Sequence, residues 1–370
     1  MQKNMQAMSG VLERWCEKIL PKLMMIFLVL TVTSAAYCGF FTRWAFRDGN
    51  GAFGVEMMLD ETAHRPFVYR QIIPQTAKLL REALPEPAQK KISERLLKKQ
   101  PLADIYGEAE IPEQFVIEYH FMYILCYLSF FVAIWILRSI LTEVLADGVA
   151  GTLGALLFAL IVPMFEVKGG YFYDFPELMF FFAAVRFALH GQWKALLLLT
   201  PFAAWNKESF VFFAFTLFPL LETRLSRKKA LLIAGAAVII AGCAYLPVHF
   251  AYAGNDGGTT EWHLFEHLSL FFSLGSWWHM STIYGMAIGD QMFFPHILYV
   301  FWIVTRGWRK LDPRWQFHAK IAAILTVPLY WLFCTPGELR NLSFLYPAFA
   351  VLLGMYLRMI LHRAYLSGKK

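Results

Sequence analysis

The chain has 370 residues, of which 58% are apolar, 17% aromatic and 16% charged. Soluble domains run nearer half apolar and a quarter charged, so an ordinary soluble globule is excluded. The 35 Phe, 16 Tyr and 12 Trp exclude a disordered chain, and 24 Gly without a fixed period exclude collagen-like and repeat arrays. The formal charge of +7 reads as the basic surplus that faces the cytoplasm in a membrane protein. No zinc-finger or RNA-binding signature accompanies it, so nucleic acid is not expected as a partner.

A spanning helix needs about 20 mostly apolar residues. Residues 23–42 carry no charge and are preceded by a long segment, which fits an uncleaved first span rather than a signal peptide. Residues 43–115 then form one long first exterior loop, with amphipathic helices expected in it. Lys90, Lys91, Arg95, Lys98 and Lys99 mark a solvated helix face. Apolar runs follow at 119–137, 148–165 and 177–189. The runs 195–205 and 210–221 are each too short to cross straight, so a hairpin is expected, its tip Asn206-Lys207-Glu208-Ser209 sunk toward the bilayer. Further runs lie at 230–255, 291–305, 321–337 and 341–357. Residues 267–289 lack formal charge and read as an interfacial or re-entrant stretch anchored by Trp277 and Trp278. The distribution of Lys and Arg then predicts an all-α, polytopic membrane domain over residues 1–370, with about ten spans and both termini cytoplasmic. Cys16, Cys38, Cys126, Cys243 and Cys334 form no C-x-x-C pair and read as small buried hydrophobes.

Under that topology the unusual polar residues gather on the exterior side. The first loop has Arg47-Asp48, Asp60-Glu61 and Arg65-Pro66-Phe67-Val68-Tyr69-Arg70. The second has Glu166, Lys168 and Tyr171-Phe172-Tyr173-Asp174-Phe175-Pro176-Glu177. The third is Asn206–Ser209, and a later one is Glu338-Leu339-Arg340-Asn341. Ionisable groups near membrane depth are costly and are functional candidates by default. Arg suits a phosphate, aromatic faces suit a sugar ring, and a carboxylate suits deprotonation of a hydroxyl. Each also has a plainer reading. Asp174 with Glu177 fits a helix N-cap, Lys207–Glu208 and Glu338–Arg340 fit ordinary turns, and Arg65 and Arg70 fit lipid headgroup contacts. His263-Leu264-Phe265-Glu266-His267 has metal-ligand spacing on a helix, but no third ligand is evident, and a plain interfacial helix competes.

The run Arg65-Pro66-Phe67-Val68-Tyr69-Arg70-Gln71-Ile72-Ile73-Pro74 resembles the P-F-x-Y-R-x-L-x-P segment that follows the first span in bacterial membrane proteins of the GT-C glycosyltransferase type, with Ile72 in place of Leu. Tyr173-Asp174-Phe175-Pro176, Asn206–Ser209 and Glu338–Asn341 are similar in kind and order to such proteins. The resemblance implies a multi-span helical enzyme of the bacterial inner membrane. It would move a sugar from a polyprenyl-phosphate-linked donor to a glycan or lipid acceptor at the outer face, with membrane lipids around it. An acidic residue soon after the first span is implied as base or metal ligand, which falls on Asp48, with Asp60 in reserve. A single Asp in place of an acidic pair leaves a divalent metal open. Arg65, Tyr69, Arg70, Tyr173, Asp174, Lys207, Glu208, Glu338 and Arg340 are the implied substrate-binding residues, with Tyr171 as further stacking surface. The competing readings are a transporter or flippase for a lipid-linked or anionic solute, and a non-catalytic subunit of an envelope polysaccharide complex.

Overall fold

The computed structural model describes residues 2–102, 111–283, 286–289 and 294–367, with side chains from residue 17 onward except 283, 286–289 and 366. Residues 291–293 of the expected run 291–305, and Lys369 and Lys370, lie outside the described residues. The architecture is a helical bundle. Helix α1 (Gln2–Trp44) leads into a loop carrying α2 (Val55–Leu59), α3 (Ile72–Glu82) and α4 (Glu86–Lys99). Then come α5 (Val116–Leu145), α6 (Gly148–Phe165), α7 (Asp174–Leu189), α8 (Trp193–Asn206), α9 (Phe210–Thr216), α10 (Phe218–Leu221) and α11 (Arg227–Ala251). After α12 (Leu264–Phe272) and a small hairpin, α13 (Phe294–Gly307), α14 (Pro313–Phe333) and α15 (Tyr346–Ser367) complete the bundle. Among the described residues, five helical segments are long and apolar enough to cross a membrane: Glu17–Trp44, Glu113–Leu145, Gly148–Phe165, Arg227–Ala251 and Leu339–Tyr365. The helices α7, α8 and α13, of 16, 14 and 14 residues, are shorter.

The helix boundaries follow local chemistry. Asp147 caps α6, its carboxylate accepting from the Val149 and Ala150 N–H groups at 3.0 Å, and Asp312 caps α14 ahead of Pro313. Small residues set the helix approach, as is usual where lipid supplies no hydrophobic drive. A side chain on Gly151 would sit 2.6 Å from the Thr142 amide of α5, and one on Gly154 would sit 3.2 Å from Gly354 of α15. Helix α6 is therefore wedged between α5 and α15. Helix α11 buries Ala230, Ala234, Ala237 and Ala241, a stripe at helical spacing, and packs against α8 and α9.

The segment after α1 holds the helices α2, α3 and α4. Helix α3 buries Ile73, Pro74 and Ala77 against α5, whereas α4 buries nothing and presents its lysines to solvent. The stretch 267–289 departs from an all-helical reading. It holds α12, a 3-10 turn and an antiparallel hairpin of β1 (Met280–Ile283) and β2 (Met286–Gly289), with Ser281 opposite Ile288. The run Ser281-Thr282-Ile283 is rich in β-branched residues, which favour a pleated strand. Arg43 at the end of α1 ties this hairpin down through the Thr282 carbonyl at 3.0 Å.

Candidate functional site

Helix termini from across the chain meet at one end of the bundle. The loop after α1 brings Arg47, the turn before α3 brings Arg70, and the segment between α6 and α7 brings Glu166, Tyr171 and Tyr173. The junction of α8 and α9 brings Lys207, Glu208 and Ser209, and the turn before α15 brings Glu338 and Arg340. Most of these side chains are buried, Arg70 at 7%, Asp174 and Glu177 at 3%, Lys207 at 6% and Arg340 at 7% exposure. Buried charge on this scale is tolerated only when paired.

The pairing is dense. Arg70 grips Glu208 with both arms of its fork, Nη2 to Oε1 at 2.6 Å and Nε to Oε2 at 3.2 Å, a bidentate geometry that a lysine would not reproduce. Its remaining arm donates to the Tyr173 hydroxyl. Lys207 Nζ lies between two acids of α7, 3.2 Å from Asp174 and 2.8 Å from Glu177. Ser209 Oγ donates to the other Glu177 oxygen at 2.8 Å. Arg340 reaches Asp174 at 3.4 Å and Glu338 at 3.3 Å. Asn341 Nδ2 donates to Glu338 Oε2 at 2.9 Å, and Asn206 Nδ2 donates to the Tyr173 carbonyl at 3.0 Å. Burial pushes the Glu208 carboxyl up, but Arg70 outweighs it, and Glu208 is held below the usual glutamate value.

The helix-cap reading of Asp174 is overturned. Its Oδ2 accepts from the Tyr171 amide at 3.0 Å, backwards along the chain, and Oδ1 faces Lys207 and Arg340. Glu177 likewise turns to Lys207 and Ser209 rather than to a helix terminus. The cations at this depth draw both carboxylates inward.

Aromatic rings interleave with the cations. Tyr171 and Tyr173 stack at 5.1 Å and 12°. The Arg340 and Arg47 guanidiniums lie 4.5 and 4.6 Å from the Tyr171 ring, and that of Arg70 lies 4.3 Å from the Tyr173 ring. Two glycines make room. Gly337, at φ 89°, turns the chain after Pro336 to present Glu338, and a side chain on Gly169 would sit 2.8 Å from the Glu338 carboxylate.

Of the residues singled out from the sequence, Arg70, Tyr173, Asp174, Lys207, Glu208, Glu338 and Arg340 fall in this network. The others lie elsewhere along the first loop. Asp48 accepts from the Tyr119 hydroxyl of α5 at 2.7 Å. Asp60 is exposed at the end of α2. Arg65 clamps the loop after α11 through its amide to Asp256 O at 2.7 Å and its guanidinium to Gly257 O at 2.8 Å. Tyr69 packs on Tyr245 and His249 of α11. Arg47, Glu166 and Glu177 join them; the sequence marks the polar segments that hold all three, and offers Glu177 only as the partner of Asp174 in a helix cap.

Two cavities adjoin the network and share Phe165 and Tyr346 as walls. One, of about 10 Å³, is lined by Glu166, Asp174, Glu177, Arg340 and Ser343. The other is an apolar groove of about 380 Å³ between α13, α14 and α15, lined by Val300, Val304, Ala323, Leu339 and Phe349. Among the described residues, no group of three or more His, Cys, Asp and Glu could hold a metal ion. Asp174 and Glu177 are already engaged by Lys207. His263 turns to Glu266 at 2.9 Å and His267 to the Cys334 carbonyl at 3.0 Å, so that pair builds helix contacts. The described cysteines Cys38, Cys126, Cys243 and Cys334 are free. The chain matches no family model and no curated protein.

Proposed function

We propose that the chain is a GT-C-like membrane glycosyltransferase that moves a sugar from a polyprenyl-phosphate-linked donor to a glycan or lipid acceptor at the outer face of a bacterial inner membrane. The observation that carries this reading is the junction of a buried network of guanidinium, ammonium and carboxylate groups with an apolar groove of about 380 Å³. A lipid phosphate needs both parts, an apolar channel for its tail and fixed cations for its head. In this reading α1, α5, α6, α7, α8, the α9–α10 pair, α11, α13, α14 and α15 cross in turn, ten passes with both termini cytoplasmic.

The division of labour follows from chemistry. The polyprenyl chain lies in the groove, and Arg340, one residue from the groove wall at Leu339, meets the phosphate. Arg70 and Lys207 preorganise positive potential where the departing phosphate gains charge. The stacked faces of Tyr171 and Tyr173 offer a platform for the sugar, with Asp174, Glu208 and Glu338 to orient hydroxyls. Asp48 serves as the base that takes the acceptor's proton, and Asp60 is the reserve.

The test is transfer by purified protein in nanodiscs, supplied with a polyprenyl-phosphate sugar and glycan acceptors. The expected result is transfer that falls about 10²–10⁴-fold in Asp48→Asn and more than tenfold in Arg340→Gln. Movement of the lipid-linked sugar across a liposome membrane without transfer would replace this reading with a flippase.

A further inference from the structure

The water-sized cavity beside Arg340 holds unmatched chemistry. Glu166 follows the last residue of α6 and is 2% exposed. Among the described residues, its Oε2 has no hydrogen-bond partner, and neither has the Nε of Arg340. Both residues line the same space of about 10 Å³, room for a single oxygen-sized atom. The pairing points the same way. Asp174 and Glu177 face Lys207, Glu208 faces Arg70, and Glu338 faces Arg340. Each acid except Glu166 already has a cation or a donor. An isolated carboxylate in such a place costs several kcal/mol unless it takes up a proton.

We propose that Glu166 is the uncharged acid of the network, and that its carboxyl O–H and the Nε–H of Arg340 together seat one oxygen of a lipid phosphate whose tail lies in the adjoining groove. The proposal rests on the functional reading above and names the group that recognises the phosphate. The groups facing Glu166 are Asp174 and Glu177 from α7, Lys207 after α8, Arg340 and Ser343 from the turn before α15, Tyr346 on α15 and Tyr37 on α1. Burial pushes the Glu166 carboxyl well above the usual glutamate value, and Asp174 adds to this. Arg340 and Lys207 pull the other way without offsetting it. An acid that must donate a hydrogen bond to an anion has to be neutral, and this environment supplies that condition. The two spaces share Phe165 and Tyr346 as walls, so a phosphate seated here lies beside the groove that takes its tail, which favours a phosphate carrying a lipid over a free one.

The experiment measures binding of farnesyl phosphate, farnesol and inorganic phosphate to the full chain in nanodiscs across pH, for wild type and Glu166→Gln. The infrared C=O stretch of protonated carboxyls is recorded in parallel. The expected wild-type result is a protonated-carboxyl band that Glu166→Gln lacks. Farnesyl phosphate affinity should fall about tenfold per pH unit once Glu166 ionises. Glu166→Gln keeps a neutral donor, so it should bind at the wild-type low-pH level without that fall. The second ionisation of phosphate, near about pH 6, is common to both proteins and cancels in their ratio. Identical bands, an identical pH dependence in both proteins, no binding of farnesyl phosphate, or equal binding of inorganic phosphate would each overturn the proposal. Glu166-dependent binding without any sugar transfer would leave the proposal standing and remove the glycosyltransferase reading. Transfer with Glu166-independent binding would do the reverse.

Discussion

The two ends of the helix bundle handle charge in opposite ways. At one end Arg70, Lys207 and Arg340 are buried and held at 2.6 to 3.4 Å from their acids. At the other, Arg358 and Asp147 stand 3.8 Å apart with Arg358 half exposed, and Arg227 stands 3.8 Å from Glu222 with 83% of its side chain in the open. His190 and Glu143 meet there at 3.1 Å, also partly exposed. The second arrangement is what basic loops beside a membrane need and nothing more. The first removes several ions from water, which stability alone does not require, because well-packed apolar residues would serve as well or better. The difference sets a buried network of close ion pairs at one end against loose, solvent-facing pairs at the other, and it is the buried end that the proposed function uses.

The largest break in that comparison should come from Lys207→Met. It leaves Asp174 and Glu177 together without the ammonium between them, and removing one partner from a buried ion group costs about 3–5 kcal/mol. The expected outcome is a strong loss of thermal stability in detergent, read by unfolding-coupled thiol labelling of Cys126, which is fully buried in the fold. Lys207→Met combined with Glu177→Leu should recover part of the loss, because it removes a stranded charge. Arg70→Lys is next. It keeps the charge but loses the fork on Glu208, and should cost about 1.5–3 kcal/mol on the same measurement.

How far this contrast was legible in the sequence varies by element. The apolar runs located the long helices because a bilayer demands about 20 such residues in a row, and α6 coincides with its run at both ends. The polar junction between the two short runs was legible as well, and there Asn206 and Lys207 are buried within the protein while Glu208 and Ser209 are half-buried. Arg47 was not. In the sequence it is only a neighbour of Asp48, yet its backbone is left-handed, with φ 61°, and this turn carries its guanidinium to 3.8 Å from the Trp44 ring and on toward Tyr171. No composition or spacing encodes that turn. Trp44 and Arg47 at i, i+3 across a helix end were the available signal. Glu166 stands out in the sequence as a polar residue at the end of an apolar run, but its cavity shared with Arg340, a residue far along the chain, does not. The hairpin in 267–289 was missed because four-residue strands leave too little alternation to read.

Acid and base should separate the two sides of the buried end. Glu208 is held below the usual glutamate range, so its ionised form contributes stability at neutral pH that is lost as pH falls through its folded-state value. Glu166 is shifted the other way. The folded protein binds its proton more tightly than the unfolded chain, so that contribution is present at low pH and is lost as pH rises through the folded-state value. A stability profile against pH should therefore carry an acid limb that Glu208→Gln removes and an opposing limb, above the usual glutamate value of 4.5, that Glu166→Gln removes. A profile that keeps both limbs in both variants would show that neither group is set by the network.

The smallest effect belongs to the open end, and it is the control that gives the others meaning. Arg358→Gln removes a cation whose partner is 3.8 Å away and whose side chain is 54% exposed. Exposed pairs contribute about 0–1 kcal/mol and less as salt rises, and Asp147 keeps its hydrogen bonds to the α6 amides whether or not Arg358 is present. Stability should stay within about 0.5 kcal/mol of wild type, and sugar transfer should be unchanged. Under the proposed topology the residue should matter only for orientation, since basic side chains beside a span hold a loop in the cytoplasm. Arg358→Gln combined with Arg363→Gln should therefore raise the fraction of chains whose C-terminus is accessible to labelling from outside, with no change in melting. A destabilisation by Arg358→Gln equal to that of Lys207→Met would erase the distinction between the two ends, and with it the argument that only one of them is a site.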